Sequence, residues 1–274
     1  MSWYPDGLVF STPRKDVAST SAVVQGRFFI QNASSFLPAL ALQAARGDSV
    51  LDVCAAPGAK TSHLVALAGG DLDVWANDAI KPRLARIADV EATLGFTAAT
   101  KTSYPAQYID KYVNRSFDRI LLDAQCSGEG LLDLRFSTAF RYWSTARIAK
   151  YHHLQTKMLT AAFRLLRPGG ILVYSTCTVA PEENEGPVST LLQREPAARI
   201  EPVIIDDAPT VHPVVRWEGA QYHPAVTGSL RLAPSGHFEA FFLCRIRKLG
   251  NGFDELDLAP LDLAEEGRRR SGAA

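Results

Sequence analysis

The sequence of 274 residues is poor in cysteine and carries no net charge. Its 29 lysine and arginine residues balance 29 aspartate and glutamate residues, and its cysteines are far apart, at Cys54, Cys126, Cys177 and Cys244. This spacing argues against a zinc ribbon or a paired redox motif, and secreted disulfide scaffolds are normally richer in cysteine. We therefore expect no metal ion. The neutral total argues against nucleic-acid binding by bulk charge alone, although it allows a local basic face.

Long apolar runs are also missing. No stretch approaches the roughly 20 residues needed to cross a bilayer. The first residues lack the basic and then apolar pattern of a secretory signal. We therefore expect a soluble protein with no membrane partner. Its expected location is the cytoplasm, or the nucleolus or an organelle if the source is eukaryotic.

Apolar runs and helical patterns alternate about every 25 residues, which predicts a mostly parallel sheet with helices on both faces. The predicted strands lie at 49–54, 73–78, 98–102, 117–123, 171–175, 201–205 and 239–247, and the main predicted helices at 36–45, 59–68, 82–94, 145–166 and 182–193. The expected division is an irregular lead-in over 1–27, one α/β domain over 28–248, and a charged, flexible tail over 249–274.

A turn of small residues follows the first predicted strand and consists of Cys54, Ala55, Ala56, Pro57, Gly58, Ala59 and Lys60. Small residues let backbone N–H groups approach a ligand, and the following helix N-terminus favours an anionic group such as a carboxylate. The glycine spacing of a Walker loop or a G-x-G-x-x-G motif is absent, which disfavours a dehydrogenase. The alternative is a plain connecting turn.

Asp78 follows the second predicted strand. An acid at this place typically accepts hydrogen bonds from ribose hydroxyls. Together with the turn, it suggests an adenosine-containing cofactor, either a dinucleotide or S-adenosylmethionine. The alternative is a helix N-cap before Pro82, and both roles can coexist.

Two cysteines follow the fourth and fifth predicted strands. Cys126 lies in the segment 123–128 and Cys177 in the segment 174–178. Because adjacent parallel strands end at the same edge of a sheet, we expect both thiols near each other and near Asp123. A single free cysteine is more often inert and buried. Two at this edge favour catalysis, since a thiolate is a strong nucleophile whose pKa falls in positive surroundings.

Five segments occur together in the order typical of one enzyme family. They are GRFFIQ at 26–31, VLDVCAAPGAKT at 50–61, DAQCSG at 123–128, YSTCTVAPEENE at 174–185, and RLAP at 231–234 followed by GHFEAFF at 236–242. In this order they resemble the Nol/Nop/Sun (Sun-type) RNA cytosine-5 methyltransferases over about residues 25–248. The resemblance implies a Rossmann-like, S-adenosylmethionine-dependent methyltransferase fold with a mostly parallel seven-stranded sheet.

The resemblance also implies a reaction, the methylation of cytosine carbon 5 in tRNA or rRNA with S-adenosyl-L-methionine as cofactor. By resemblance, Cys177 is the nucleophile that adds to carbon 6, and Cys126 assists its release. Asp123 would bind the base near N3, and the charge of Lys60 would favour the Cys177 thiolate.

By the same resemblance, the turn from Cys54 to Lys60, Asp78 and Asp123 line the cofactor site, with Arg83 supporting Asp78. Two positions depart from the family pattern. Gln125 stands where proline is usual, and it leaves the loop less constrained because proline would fix φ. Ser103 or Thr102 stands where an aspartate usually binds the adenine amino group, and a hydroxyl accepts that hydrogen bond less strongly.

A cytosine must leave its stack to meet a thiol, so a single-stranded or loop cytidine is the expected substrate. Candidate pocket walls are Tyr104, Phe136, Tyr142, Trp143 and Tyr151. Two other interpretations stay open, namely a non-catalytic RNA-binding relative or ribosome assembly factor, and a DNA cytosine-5 methyltransferase.

Charge is unevenly distributed along the chain. No acidic residue occurs between Asp133 and Glu182, and the stretch holds seven basic residues: Arg135, Arg141, Arg147, Lys150, Lys157, Arg164 and Arg167. Because this stretch joins the two cysteine motifs, it can place positive charge beside them. It predicts salt-sensitive RNA binding through a few phosphates.

Overall fold

The computed structural model describes residues 1, 3–98, 100–133, 135–250 and 259–272. The described helices are α1 (Arg14–Ala18), α2 (Ser21–Val24), α3 (Ala33–Leu42), α4 (Ala59–Leu67), α5 (Lys81–Leu94), α6 (Thr145–Leu165), α7 (Glu185–Arg194) and α8 (Leu263–Gly272). The described strands are β1 (Ser49–Asp52), β2 (Asp73–Asn77), β3 (Thr100–Thr102), β4 (Phe117–Asp123), β5 (Leu166–Thr176), β6 (Ala198–Ile200), β7 (Val203–Ile204), β8 (Thr210–Val211), β9 (Arg216–Trp217), β10 (Ala220–Gln221), β11 (Leu230–Leu232), β12 (Phe241–Lys248) and β13 (Leu261–Asp262).

One large sheet organises the described chain in the strand order β3-β2-β1-β4-β5-β12-β11-β8, with β6 pairing on β12. Strands β1 to β5 are parallel, and β12, β11, β8 and β6 add antiparallel pairs. The Rossmann-like α/β fold predicted from the sequence is therefore confirmed. The described sheet has nine strands instead of seven. The predicted strand at 201–205 is β7, which pairs with β13 in a separate sheet. The other six predicted strands are joined by β6, β8 and β11, which are too brief to give a clear period-two pattern.

Helices pack on both faces of this sheet. On one face, Leu37 of α3 and Leu64 of α4 pack with Val173 of β5 in one buried cluster. On the other face, Phe163 of α6 and Leu191 of α7 belong to a second buried cluster that includes strand residues of β4 and β5. Both clusters bury apolar surface against the sheet, which fixes the strand ends where the polar motifs lie.

Local sequence signals explain most helix boundaries. The Asn32 side chain accepts a hydrogen bond from the Ser34 N–H at the start of α3, and Ser144 caps α6 by accepting from the Arg147 N–H. Gly95 ends α5 with a φ of 71°, a conformation that glycine adopts without strain. The Pro-Gly-Gly segment at 168–170 separates the predicted helix 145–166 from the predicted strand 171–175, but in the structure it lies inside β5, next to a register irregularity against β4.

The two flanking segments are more ordered than the sequence predicted. The lead-in contains α1 and α2, and Trp3 and Tyr4 are buried against the domain. In the tail, β13 pairs with β7, and Leu263 and Ala264 of α8 are buried. The predicted flexible tail therefore holds a packed helix over its described part, and residues 251–258 lie outside the described residues. Among the described helices, none is both long and apolar enough to span a membrane.

Candidate active site

The two cysteine loops meet at the carboxyl edge of the sheet. Parallel pairing of β4 with β5 places Asp123 opposite Ser175, so the loops that follow the two strands lie side by side. The Sγ atoms of Cys126 and Cys177 are 3.4 Å apart, within hydrogen-bond range for sulfur. The structure thus brings together the two thiols that the sequence analysis singled out.

Lys60 and Asp123 form an ion pair beside the thiols. Lys60 Nζ, in the first turn of α4, lies 2.7 Å from Asp123 Oδ2, and the Ser175 hydroxyl donates to Asp123 Oδ1 at 2.7 Å. Burial alone would lower the pKa of Lys60, but the charge and hydrogen bond of Asp123 raise it. The lysine is therefore a fixed positive charge, and Asp123 accepts from two donors.

The two thiols differ in the stability of their thiolates. The pKa of Cys177 is lowered, first because of its hydrogen bond with Cys126; the charge of Lys60 also lowers it, whereas burial and the charge of Asp123 raise it. The pKa of Cys126 is raised, first by that same hydrogen bond, then by burial and by the charge of Cys177. Of the two thiols, Cys177 therefore forms the thiolate more readily.

The residues that follow the two cysteines also bond to each other. The Ser127 and Thr178 hydroxyls are 2.8 Å apart, and Thr178 donates to Glu129 Oε2 at 3.0 Å. Glu129 in turn accepts from the Trp143 indole N–H at 2.5 Å. These contacts connect both cysteine loops to the segment before α6.

The sequence analysis missed two buried polar residues behind Cys126. Gln155, inside α6, donates to the Gln125 backbone carbonyl and to the Glu183 carboxylate, at 2.8 Å each. Glu183 also accepts from the Ser127 N–H at 3.0 Å. Neither Gln155 nor Glu183 is exposed. Glu183 lies in the segment 174–185, which the sequence analysis recognised as a motif. Gln155 has no such signal, because in the sequence it is one more residue of an amphipathic helix.

The predicted turn Cys54–Lys60 joins β1 to α4. Gly58 has a φ of 110°, and this left-handed conformation lets the backbone enter the helix sharply. Burial raises the pKa of Cys54 well above its ordinary value, so this thiol is unreactive at neutral pH. The first N–H groups of α4 point out of the helix end without intrahelical partners, as at any helix N-terminus.

Asp52, at the end of β1, is a buried acid that was not among the predicted site residues. Its Oδ2 accepts from the Thr61 hydroxyl at 2.7 Å, whereas its Oδ1 is buried without a hydrogen-bond partner among the described residues. Burial raises the pKa of Asp52 to about 7. An unsatisfied buried acceptor beside the turn is a place where a bound cationic group would be stabilised.

Asp78 and Arg83 hold this turn from the side of β2. Asp78 accepts from the Ala56 N–H at 3.3 Å and from the Ile80 N–H at 3.0 Å, and its carboxylate lies 3.6 Å from Arg83. Arg83 also donates to the Ala56 carbonyl at 2.9 Å. The N-cap alternative for Asp78 is wrong, because the N-cap of α5 is Ile80 and no side chain caps this helix, so the bond to the Ile80 N–H belongs to the preceding turn. Arg83 lies beside Asp78.

The predicted position Ser103 lies just after β3, half-buried at the same edge. Here Asn77, another residue that was not predicted, links three strand ends. Its amide donates to the Val53 and Tyr104 carbonyls, and its oxygen accepts from the Tyr104 N–H at 2.8 Å. Tyr104 stacks on Tyr112 with ring centroids 4.8 Å apart. Asn77 thereby holds the edge to which Ser103 belongs.

The other candidate pocket walls lie on the outside of the protein. Phe136, Tyr142 and Trp143 are exposed, Tyr142 by 72%, and Tyr151 of α6 is half-buried beneath Arg147. They therefore form a surface beside the cysteine loops and not an enclosed pocket. No group of histidine, cysteine or acidic side chains in the described part of the chain could hold a metal ion.

Comparison with known proteins gives a consistent match. Residues 39–247 match the family described as 16S rRNA methyltransferase RsmB/F. The chain is 38% identical over 224 residues to the tRNA (cytosine(49)-C(5))-methyltransferase of Pyrococcus abyssi, covering 81% of this chain and 71% of that protein. It is 39% identical over 210 residues to ribosomal RNA small subunit methyltransferase B of Salmonella heidelberg, covering 75% of this chain but 47% of that protein.

A solved structure supports the same assignment. The crystal structure of a methyltransferase homolog protein from Pyrococcus horikoshii superposes with a TM-score of 0.73 at 32% sequence identity. The match covers 85% of this chain and 72% of that one.

Proposed function

Because the chain belongs to the RsmB/F family of RNA cytosine-C5 methyltransferases, we propose that it methylates carbon 5 of a cytidine in tRNA or rRNA through a covalent adduct of Cys177. The family sets the reaction class and the cofactor, S-adenosylmethionine. The adjacent thiols at the carboxyl edge of the sheet are the single observation that carries the proposed mechanism. DNA as substrate is disfavoured by the family.

The residues around the turn Cys54–Lys60 fit this cofactor. The N-terminus of α4 offers backbone N–H groups to the cofactor's carboxylate. The unpartnered Oδ1 of Asp52 offers an acceptor to its ammonium group. Asp78 and Arg83 shape the turn, and Ser103 borders it. When bound, S-adenosylmethionine supplies the electrophilic methyl group.

Cys177 is the nucleophile in this proposal. Carbon 5 of cytosine is too weakly nucleophilic to be methylated unaided, and addition of a thiolate to carbon 6 makes the ring enamine-like. The lowered pKa of Cys177, caused first by the Cys126 hydrogen bond and also by the Lys60 charge, makes it the better nucleophile of the two thiols.

Asp123 would bind the base. Since Lys60 and Ser175 both donate to it, Asp123 is placed to act as an acceptor. A hydrogen bond to Asp123 from a protonated N3, or from the exocyclic amino group, would stabilise the electron-rich adduct.

Cys126 would act after methylation. Addition to carbon 6 turns Cys177 into an uncharged thioether, which removes both the hydrogen bond to a thiolate and the negative charge that raise the pKa of Cys126. Cys126 can then lose its proton to solvent and take the proton from carbon 5. The electron pair of that C–H bond restores the double bond between carbons 5 and 6 and expels Cys177.

The exposed segment before α6 and one stripe of α6 form the proposed RNA surface. Arg147, Lys150, Lys157 and Arg164 fall within an arc of about 100° on a helix of 3.6 residues per turn. Arg164 pairs with Asp110, whereas no ion pair to the other three occurs among the described residues. Exposed aromatic rings next to basic side chains suit single-stranded RNA, because bases stack on the rings while the charges contact phosphates.

Methyl transfer from labelled cofactor to RNA tests the proposal. We expect Cys177→Ala to abolish activity, by at least about a thousandfold for loss of a covalent nucleophile. We expect Cys126→Ala to accumulate a covalent protein–RNA adduct on a denaturing gel. Full methylation by Cys177→Ala would sink the nucleophile assignment. Cofactor binding without methyl transfer to any RNA would favour a non-catalytic RNA-binding or ribosome assembly role.

A further inference from the structure

Glu183 and Gln155 form a buried pair that holds the loop on both sides of Cys126. The Ser127 N–H donates to the Glu183 carboxylate, with its nitrogen 3.0 Å from Oε2 and 3.3 Å from Oε1. The Gln155 side-chain amide donates to Oε2 at 2.8 Å. The second N–H of that amide goes to the Gln125 carbonyl at 2.8 Å. Two side chains from distant segments therefore fix the residue before Cys126 and the residue after it.

Both groups have only one orientation that satisfies these bonds. Gln155 Nε2 faces two acceptors, so the amide nitrogen and not the oxygen must point at the loop. Its oxygen is left buried without a partner among the described residues. Glu183 meets two donor groups, which suits an ionised carboxylate, since a protonated one would need an acceptor for its own hydrogen.

The Glu183 charge has no basic partner in the described structure. None of the ion pairs in that part of the chain includes it, and burial raises its pKa. An uncompensated buried carboxylate costs stability. A neutral side chain that bonds equally well to Ser127 would hold the loop with a smaller loss of folding stability. The charged side chain at this position therefore indicates a role for the charge itself.

We propose that Glu183 and Gln155 are positioning residues for Cys126, holding its loop in hydrogen-bond range of Cys177 and using the Glu183 charge to disfavour a thiolate at Cys126. This inference rests on the proposed function and assigns two further residues to it. Lys60 acts on Cys177 and Glu183 acts on Cys126, so opposite charges favour the same distribution of one proton between the two sulfur atoms. The hydrogen bond from Gln155 to the Gln125 carbonyl (the tether) restrains the loop at the position where related sequences have proline.

Two variants separate the tether from the charge. Glu183→Gln keeps an oxygen that can accept from Ser127 and Gln155 but removes the charge. Gln155→Ala leaves the charge and removes the tether to Gln125. Glu182→Gln is the matched control, because Glu182 is the adjacent carboxylate and bonds to the surface residue Trp217 at 3.0 Å.

The first readout needs no RNA. The protein is treated with limiting iodoacetamide between pH 6 and 9 (roughly the window in which thiols titrate), and the alkylated cysteine is identified by mass spectrometry. In the wild type and in Glu182→Gln we expect alkylation mainly at Cys177. In Glu183→Gln we expect the ratio of Cys126 to Cys177 alkylation to rise by about tenfold at neutral pH, since removing a like charge makes the Cys126 thiolate accessible.

The second readout compares one turnover with many. Gln155→Ala misplaces Cys126 and weakens its hydrogen bond to Cys177, which raises the pKa of Cys177. We therefore expect single-turnover methyl transfer to fall at low pH but to approach the wild-type rate as the pH rises, whereas steady-state turnover stays about tenfold lower at every pH and the covalent RNA adduct accumulates. A merely structural role would lower both rates together and leave no adduct.

The proposal is overturned if both variants, folded by circular dichroism, alkylate and turn over like Glu182→Gln. It is equally overturned if the two rates fall in parallel without adduct. If Glu183→Gln does not fold, Gln155→Ala still tests the tether. If Gln155→Ala does not fold, Glu183→Gln still tests the charge. If the wild type forms neither adduct nor product with any RNA, the proposed function fails, and the alkylation ratios still decide whether Glu183 governs the Cys126 proton.

Discussion

Lys60 Nζ lies 2.7 Å from Asp123 Oδ2, and this ion pair joins the turn after β1, the proposed cofactor site, to the end of β4, the proposed base site. The same lysine lowers the pKa of Cys177, together with the larger effect of the Cys126 hydrogen bond. One side chain thereby influences the two halves of the site that must cooperate, the acceptor for the base and the nucleophile.

We predict that Lys60→Gln moves the acid limb of the kcat/KM pH profile to higher pH. The active form of Cys177 is the thiolate, so losing a nearby positive charge raises its pKa and leaves less thiolate at a given pH. A shift of about one pH unit is expected for one charge near a partly buried thiol. Profiles of Lys60→Gln and of the surface control Lys111→Gln test this, and superimposable acid limbs would contradict it.

We predict that Asp52→Asn flattens the pH dependence of stability in the cofactor-free protein. The pKa of Asp52 is raised to about 7 when folded, against about 3.9 when unfolded. Its contribution is therefore fully present below pH 4 and is lost as the pH rises to 7, by up to about 4 kcal/mol. Urea unfolding at a series of pH values checks this. Near pH 4 the ionisation of Asp52 contributes no difference between the wild type and Asp52→Asn, so this pH serves as the control. Free energies of unfolding that change in parallel for the two proteins above pH 4 would refute the prediction.

We predict that Arg231→Met destabilises the fold by about 3–5 kcal/mol, because it leaves the buried Glu185 carboxylate without its partner. Arg231 donates to both Glu185 oxygens, at 2.6 and 2.7 Å, and so connects β11 to the start of α7. Adding Glu185→Gln should recover most of the loss. Arg115→Met, which breaks an exposed pair with Asp73, should cost less than about 1 kcal/mol. Equal losses in both single variants would argue against a buried pair.

We predict different effects on RNA affinity for a ring and a charge of the proposed surface. Tyr142→Ala should weaken binding by about 1–3 kcal/mol at unchanged salt dependence, as for loss of one stacked base. Arg147→Gln should lower the slope of log affinity against log salt by about 0.7. Fluorescence anisotropy with single-stranded RNA over a salt series measures both. Arg269→Gln on α8 is the charge control, and an equal change in its slope would remove the assignment to this surface.

The sequence predicted the parts of the site that depend on strand ends. Asp123, Cys126 and Cys177 follow apolar runs whose parallel pairing follows from the βα alternation, so their proximity could be foreseen. Gln155 and Asn77 could not, because their roles arise from contacts across the fold. A glutamine in a helix and an asparagine at a strand end carry no local signal for such contacts.

The antiparallel end of the sheet shows a similar limit. The long strand β12 was predicted within a few residues, whereas β8 and β11 are too short to display a period, and their pairing is set by β12. The helix α8 was read as a charged tail because its polar residues outnumber the two apolar residues that anchor it, Leu263 and Ala264. Composition reports average polarity, whereas packing depends on which few residues face the core.

The antiparallel pairing of β12 with β5, in which Thr176 lies opposite Phe242, has a consequence for biosynthesis. The strand that presents the Cys177 loop lacks one of its two neighbours until a segment more than 60 residues later in the chain has been made. While the ribosome is still translating that interval, β5 is an unpaired edge with a reactive thiol at its end. The candidate site is thus completed late, when β12 pairs with β5.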